Sequence, residues 1–316
     1  MQTLLDDGLL LKKVSCPIGV IGVIFEARPD ALVQISTLCI KSGNCCLLKG
    51  GSETANTNAK LFEIILTAAM EAGLPEGSLG LLQSRQDVRD MLGLNGYIDL
   101  IIPRGSNAFV QYIMNNTSIP VLGHADGICH VYVDKDADIA EAVRIVTDSK
   151  AQYVSVCNAA ETLLVHRDIA AEALPKIAKS LNDAGVTIVG CRETCGIIAV
   201  QPASEEDWKT EYLDYKISVK IVGSAREAAE HINRYGSGHT DAIVTKNAQT
   251  AEYFMDAVDS ANVYWNCSTR FADGYRYGFG AEVGISTNKI HARGPVGLDG
   301  LMIYKYKLYG LSLIQI

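Results

Sequence analysis

The sequence has no excess of positive charge, and this limits its function. Its 28 lysines and arginines are outnumbered by 36 aspartates and glutamates, which gives a net charge of −8. A nucleic-acid surface needs clustered Lys and Arg in excess, and the sequence has no such cluster. The longest apolar stretches, such as residues 18–25, fall well short of the ~20 residues that a membrane helix requires. We therefore expect a soluble protein without a nucleic-acid or membrane partner.

The sequence also has no evident secretory signal, and its nine cysteines form an odd set. Both features favour reduced thiols in a cytoplasmic compartment over disulfides. The pair Cys191 and Cys195 has a CxxxC spacing, but no second ligand pair lies near it in sequence, so we expect no metal site. The histidines that show no metal-like spacing, and are expected to be structural, are His124, His130, His166 and His239.

What the sequence does contain is a repeated unit, a short β-branched run followed by a helical segment. This repeat is typical of parallel sheets with crossover helices, and 316 residues with 48% hydrophobic composition favour two domains. The predicted strands are 19–25, 45–49, 78–82, 97–102, 131–134, 162–166, 187–189, 218–222, 242–245 and 263–266. The predicted helices are 29–41, 54–72, 87–94, 139–149, one directly after Cys157, 169–184, 225–235 and 248–258.

Cys157 is the candidate nucleophile. The pattern around it predicts a loop that enters a helix, whose free N–H groups would lower the thiol pKa. The same amides, with the side chain of Asn158, could stabilise an oxyanion. The alternative, that a free cysteine is a small buried hydrophobe, suits the cysteines in apolar runs better than Cys157, which the polar Ser155 and Asn158 flank.

Two segments are candidate phosphate sites, because in each a predicted strand ends in a cation and glycine. They are Lys49-Gly50-Gly51-Ser52 and Arg104-Gly105-Ser106. Each segment alone is more typical of a turn followed by a helix cap. Together they indicate an anion site at the carboxyl edge of a parallel sheet.

Three arginines, Arg28, Arg270 and Arg293, follow apolar segments. The guanidinium fork suits a carboxylate or a phosphate. A surface ion pair is the alternative for each.

Motifs across almost the whole chain resemble the gamma-glutamyl phosphate reductases (glutamate-5-semialdehyde dehydrogenases), in particular the reductase half of the bifunctional pyrroline-5-carboxylate synthases. These belong to the aldehyde dehydrogenase superfamily. The motifs that carry the resemblance lie at 16–34, 47–53, 98–107, 119–135, 157–168, 236–245, 266–287 and 291–301.

The resemblance implies an aldehyde-dehydrogenase-like α/β fold. A Rossmann-like cofactor domain would span 1–149, with residues 9–15 in a small oligomerisation β-flap, and an α/β catalytic domain would span 150–285. Residues 286–316 would return to the cofactor domain and supply an oligomerisation strand. The family's N-terminal helical region would be absent. The implied partners are a second copy of the chain, as a dimer or tetramer, and glutamate 5-kinase.

The resemblance also implies NADPH-dependent reduction of L-glutamyl 5-phosphate to L-glutamate 5-semialdehyde, with release of phosphate, through a thioester on Cys157 in proline biosynthesis. The implied catalytic residues are Cys157 and Asn158. The implied cofactor residues are Lys49, Gly51, Ser52, Arg104, Gly105, Ser106 and Glu211, and the implied substrate residues are Arg28, Ser268, Thr269, Arg270, His291 and Arg293.

Two details refine this expectation. Hydrolytic relatives carry a water-activating glutamate in the segment 121–126, where this sequence has Gly123, so the thioester would persist until hydride arrives. Relatives that prefer NAD carry a glutamate where this chain has Ser52, which favours NADPH. Two alternatives stay open at this point, a truncated non-catalytic paralogue and a reductase of another acyl phosphate or an acyl-CoA.

Overall fold

The computed structural model describes residues 1–26, 28–124 and 126–310. Its strands are β1 (Gln2–Asp6), β2 (Leu9–Pro17), β3 (Val20–Phe25), β4 (Cys45–Gly50), β5 (Leu79–Leu82), β6 (Leu100–Arg104), β7 (Cys129–Val133), β8 (Ala160–His166), β9 (Thr187–Gly190), β10 (Gln201–Pro202), β11 (Lys216–Val222), β12 (Thr240–Val244), β13 (Asn262–Trp265), β14 (Gly284–Ser286), β15 (Gly294–Val296) and β16 (Met302–Gly310). Its α-helices are α1 (Pro29–Ser42), α2 (Ala55–Glu71), α3 (Arg85–Leu92), α4 (Asn107–Asn115), α5 (Ile139–Ala151), α6 (Arg167–Asp183), α7 (Arg192–Cys195), α8 (Ala225–Tyr235) and α9 (Ala248–Ala257).

The chain divides into two compact units. The first holds residues 1–123, 279–284 and the described residues from 295 onward, and the second holds 124–278 and 285–294. Residues 124–149, predicted above as part of the cofactor domain, therefore fall in the second unit. The reason is strand pairing, because β7 lies between β8 and β12 in that unit's sheet. The last part of the predicted segment 286–316, residues 311–316, lies outside the described residues.

The first unit contains a four-stranded parallel sheet in the order β5-β4-β3-β6. The chain first adds β4 and β5 on one side of β3 and then returns to add β6 on the other. This reversal is the topological switch point at which α/β sheets bind ligands, beyond the carboxyl ends of the strands. The unit also contains an antiparallel sheet in which β16 pairs with β2 along its whole length, so the two segments predicted for the flap are neighbours.

The second unit contains a seven-stranded parallel sheet in the order β10-β9-β11-β8-β7-β12-β13. Successive residues of β7 face opposite sides, since side chains alternate along a strand. Val131 and Val133 join the apolar cluster under α5 and α6, whereas Tyr132 joins the cluster under α8 and α9. The central strands are thus buried on both faces, as is usual for parallel sheets. Among the described residues, no helix is both long and apolar enough to span a membrane.

Candidate active site

Cys157 lies in the turn that joins α5 to β8. The helix predicted directly after it does not exist, because residues 160–166 form a strand whose seven side chains are all buried. The argument that a helix N-terminus lowers the thiol pKa is therefore wrong. The residue is only partly buried.

Two histidines accompany this sulfur. The Sγ atom of Cys157 and one ring nitrogen each of His124 and His239 lie within 4.8 Å of one another. His124 shortly precedes β7, Cys157 precedes β8 and His239 precedes β12, and these three strands are adjacent and parallel. The residues therefore lie together at the amino ends of the strands. The two histidines were expected to be structural, and the group brings three possible metal-ligand atoms together where the sequence indicated no metal site.

The backbone of the Cys157 turn is held from β7. The buried Cys129 thiol donates to the carbonyl oxygen of Cys157 at 3.2 Å. Burial raises the pKa of Cys129 well above its usual range, so this thiol keeps the proton that it donates. Gly127 packs against the same peptide, since a Cβ built there would lie 2.1 Å from the Cys157 carbonyl oxygen. Only glycine fits at this position without moving the turn.

The segment that carries the predicted carboxylate anchor is bonded to the same turn. Thr269 donates its hydroxyl to the carbonyl oxygen of Asn158 at 2.7 Å, and Asn158 donates its amide to the carbonyl oxygen of Ala272 at 2.9 Å. Ser268 accepts from the backbone N–H of Arg270 and from the hydroxyl of Ser149. Asn158, Ser268 and Thr269 are buried, and their observed hydrogen bonds hold backbone in place.

Arg270 is the member of this group whose charge is partly exposed. Its Nε atom donates to the side-chain oxygen of Gln152 at 3.2 Å. Partial burial, with a contribution from neighbouring Arg276, lowers the pKa of Arg270. An anion bound beside the guanidinium would relieve both effects, so this part of the site suits a carboxylate or a phosphate.

A fully buried ion pair joins the two elements that flank the turn. Lys150, near the end of α5, and Glu161, near the start of β8, approach to 2.6 Å with no side-chain exposure. Burial outweighs the attraction of the lysine and raises the pKa of Glu161 to about 7, while burial lowers the pKa of Lys150. The charge of Glu211 contributes to the rise at Glu161, so this predicted cofactor partner lies in the second unit, near the base of the turn.

Arg293 is engaged elsewhere in the second unit. Its guanidinium donates to the carboxylate of Asp259 at 3.2 Å and to the backbone carbonyl oxygen of the same residue at 2.9 Å. Lys289 bonds to the Asp259 carboxylate as well. The geometry matches the surface ion pair that was the alternative for this arginine. His291 is exposed and has a positive φ of 70°.

The first unit contributes the predicted cofactor residues. Lys49 is buried at the end of β4 and donates to the carbonyl oxygen of Gly50 at 2.5 Å. Ser52 is exposed and begins a short 3₁₀ helix. A Cβ at Gly51 would lie 1.9 Å from a carboxylate oxygen of Glu53, so the negatively charged side chain of Glu53 lies against this glycine.

The loop after β6 already holds a carboxylate. Glu26 follows β3, and its Oε2 accepts from the backbone N–H of Ser106 at 2.9 Å. A Cβ at Gly105 would lie 2.4 Å from the same oxygen. The residues before α4 therefore form an anion-accepting corner, as expected at a helix N-terminus. Arg104 ends β6 with its guanidinium against Gly284, and Arg28 is exposed at the start of α1.

Comparison with known proteins identifies the family. The aldehyde dehydrogenase family matches residues 6–191. The gamma-glutamyl phosphate reductase of Acetivibrio thermocellus is 66% identical over 310 residues, which cover 98% of this chain and 72% of that relative. Gamma-glutamyl phosphate reductase 1 of Synechocystis is 58% identical over 306 residues, or 97% of this chain and 71% of the relative. The chain belongs to the gamma-glutamyl phosphate reductases of the aldehyde dehydrogenase family.

Solved structures agree with this assignment. The crystal structure of the gamma-glutamyl phosphate reductase of Thermotoga maritima superposes with a TM-score of 0.97 at 43% identity, covering 100% of this chain and 77% of that one. An acetylating aldehyde dehydrogenase of Geobacillus thermoglucosidasius, at 17% identity and a TM-score of 0.70 over 97% of this chain and 77% of that one, shows the common fold. The predicted α/β aldehyde-dehydrogenase-like fold is confirmed.

Within this gamma-glutamyl phosphate reductase fold, sequence reasoning missed four residues beside the nucleophile. They are His124, Gly127, Cys129 and His239. The available signal was their sequence context, since each lies just before or at the start of a predicted strand. Because that signal says nothing about which strands are neighbours, it could not single these residues out.

Proposed function

We propose that this chain reduces L-glutamyl 5-phosphate to L-glutamate 5-semialdehyde with NADPH, through a thioester on Cys157. The observation that carries the proposal is the partly exposed residue Cys157, held in a turn that is hydrogen-bonded to the segment bearing Arg270. The membership of the family supports the substrate and the product. The reaction would serve proline biosynthesis.

The sulfur supplies the covalent step. It attacks the acyl carbon of the substrate, the C–O bond to the phosphate breaks, and inorganic phosphate leaves. NADPH, when bound, supplies the hydride that adds to the thioester carbon. The C–S bond then breaks, the aldehyde leaves and Cys157 is regenerated, so that the reaction consumes one hydride and one proton and releases one phosphate. In the segment 121–126, His124 lies beside the sulfur. Among the described residues, the group that it forms with Cys157 and His239 includes no carboxylate that could activate water. This composition supports a thioester that persists until the hydride arrives.

Arg270 is the proposed anchor of the substrate's α-carboxylate. Its Nε atom donates to the neutral side chain of Gln152, and this bond does not neutralise the guanidinium charge. Ser268 and Thr269 would act indirectly, because their hydroxyls hold the turn in place. Arg28 remains the proposed contact of the leaving phosphate.

The first unit would bind the cofactor beyond the carboxyl ends of β3, β4 and β6. Lys49 and Arg104 end two of these strands with positive charge, and the backbone N–H of Ser106 already donates to the carboxylate of Glu26, so the chemistry fits a pyrophosphate. The preference for NADPH rests on Ser52 and is opposed by the carboxylate of Glu53. A comparison of the kcat/KM values for NADP⁺ and NAD⁺ decides this part of the proposal.

Self-association is part of the proposal. The sheet of β1, β2 and β16 exposes several large apolar side chains, as expected for a dimer or tetramer interface. They include Leu4, Leu5, Tyr304, Tyr306, Leu308 and Tyr309. Association with glutamate 5-kinase would hand over a reactive acyl phosphate directly. All nine cysteines are free, which supports the cytoplasmic compartment proposed from the sequence.

The function is tested in the reverse direction, by phosphate-dependent reduction of NADP⁺ with glutamate semialdehyde. We expect Cys157→Ser to abolish this activity while cofactor binding, measured by fluorescence, is retained. Cys191→Ser is the matched control, because that thiol is also partly buried but lies at the start of α7. Full activity of Cys157→Ser, or activity with an acyl-CoA but none with phosphate, would refute the proposal.

A further inference from the structure

The grouping of Cys157, His124 and His239 offers a second kind of chemistry. One thiol sulfur and two imidazole nitrogens within 4.8 Å of one another form a soft ligand set, the kind that zinc uses. Three protein ligands and an open fourth position are typical of zinc sites that retain a water. Hard cations such as Mg²⁺ prefer oxygen ligands, and this group contains none.

The hydrogen bonds of the two rings prepare them for a metal. Nδ1 of His124 lies 2.8 Å from the backbone carbonyl oxygen of Ile285. A carbonyl only accepts, so Nδ1 carries the proton and Nε2 is the ring nitrogen with the lone pair, which is the arrangement that orients histidines in metal sites. The backbone carbonyl of Ile285 thus orients the His124 ring whether or not a metal is bound.

His239 gives independent support. The ring is wholly buried, and its Nδ1 lies 2.8 Å from the hydroxyl oxygen of Thr240. Its Nε2 is buried and has no hydrogen-bond partner among the described residues. Buried polar atoms are rarely left unsatisfied, and each such case requires an explanation. A bound cation would supply the missing partner.

We propose that Zn²⁺ binds between Cys157, His124 and His239, with water as its fourth ligand. The Cys157 thiol releases its proton to solvent as the S–Zn bond forms. Zinc–ligand bonds of about 2.0 to 2.3 Å require the three atoms to close in slightly from their present spacing. Because the metal occupies the sulfur, zinc is a reversible inhibitor of acyl transfer. This inhibition rests on the function proposed above, whereas the binding does not.

The first experiment uses the unmodified chain and no turnover. Zn²⁺ is titrated calorimetrically, and alkylation of Cys157 by iodoacetamide is followed by peptide mass spectrometry with and without the metal. We expect one Zn²⁺ per chain at this site and strong slowing of alkylation at Cys157, with no slowing at exposed Cys45. Co²⁺ in place of Zn²⁺ should give a thiolate-to-cobalt charge-transfer band.

The second experiment removes the ligands one at a time. Cys157→Ser, His239→Asn and His124→Asn should each weaken Zn²⁺ binding by more than about 100-fold, since losing even an outer-shell partner costs roughly 10–100-fold. His166→Asn is the matched control. His166 caps α6, and asparagine caps helices equally well, so the affinity of this variant for zinc should equal that of the unmodified chain. Circular dichroism checks that each variant is folded.

The proposal is overturned if Zn²⁺ leaves the alkylation of Cys157 unchanged at saturation, or if stoichiometric binding persists in folded Cys157→Ser and His239→Asn. These readouts are separate from the reductase assay. A chain that binds zinc at this site but lacks reductase activity refutes the proposed function alone. A chain with reductase activity and unprotected Cys157 refutes the zinc site alone.

Discussion

The buried pair of Lys150 and Glu161 makes a sharp prediction about the stability of the second unit. The two side chains are fully buried at 2.6 Å from each other, and they join the helix before the Cys157 turn to the strand after it. Replacing Glu161 by leucine leaves an ammonium group in apolar surroundings without its partner. Replacing Lys150 by methionine leaves a carboxyl group instead.

The two single changes should differ in cost. Loss of one partner of a buried ion pair typically destabilises by about 3–5 kcal/mol, and we expect this range for Glu161→Leu. Lys150→Met should cost less, about 1–3 kcal/mol, because the pKa of Glu161 is already raised to about 7 and the carboxyl can take up a proton. The double variant Lys150→Met/Glu161→Leu should lie within about 1 kcal/mol of the unmodified chain or above it, since apolar replacement of a buried pair is often neutral or stabilising.

Tryptophan fluorescence isolates the relevant unit, because both tryptophans of the chain, Trp208 and Trp265, lie in the second unit. Urea unfolding at pH 7 gives the free energies. Thermal midpoints should fall by roughly 6–20 °C for Glu161→Leu, at about 2–4 °C per kcal/mol for a unit of this size. If Glu161→Leu costs under 1 kcal/mol, or if the double variant shows the sum of the single costs, the pair does not interact as described.

Two further predictions concern other parts of the second unit. Burial lowers the pKa of His231 to about 2, so the ring stays neutral in the fold but takes up a proton in the unfolded chain below pH ~6.5, and stability is lost as the pH falls. Between pH 7 and pH 5, protonation of this histidine in the unfolded chain should lower the free energy of unfolding, measured in urea, by about 2 kcal/mol. If His231→Gln lost the same amount of stability over this pH range, the assignment would be contradicted. Gly127→Ala should lower kcat by roughly 100-fold in a folded protein, because its Cβ would meet the Cys157 peptide at 2.1 Å; an unchanged kcat would show that the turn can shift without consequence.

Most of the fold could be predicted from hydrophobic patterning. The helix predicted over 225–235 is α8 (Ala225–Tyr235), and the strand predicted over 45–49 is β4 (Cys45–Gly50). Such segments combine a clear period with a capping residue, as Ser224 caps α8. The division between the two units was predicted about 26 residues too late, because the pairing of β7 with β8 and β12 is a long-range contact that no local pattern records.

The turn that carries Cys157 was predicted less well, and the reason is physical. A helix after Cys157 was expected, although only about one helical turn fits before the strand that was predicted from residue 162. Ala160 and Glu161 extend that strand instead, because both are buried in the centre of the sheet, where tertiary packing overrides helix propensity. The clustering of His124 and His239 with Cys157 depends on the strand order β8-β7-β12, which the sequence does not encode locally.

The environment of Cys157 also changes the account of its reactivity. A strand follows Cys157, so no helix N-terminus stabilises its thiolate. The carbonyl oxygens of Cys157 and Asn158 accept from Cys129 and Thr269, so the turn is fixed by bonds to its backbone before substrate arrives. The sulfur itself lies within 4.8 Å of one ring nitrogen of each of the two histidines. In such a site, one set of residues positions the sulfur and another set activates it. Substitutions on β7 should therefore displace the sulfur, whereas substitutions of His239 should change its reactivity.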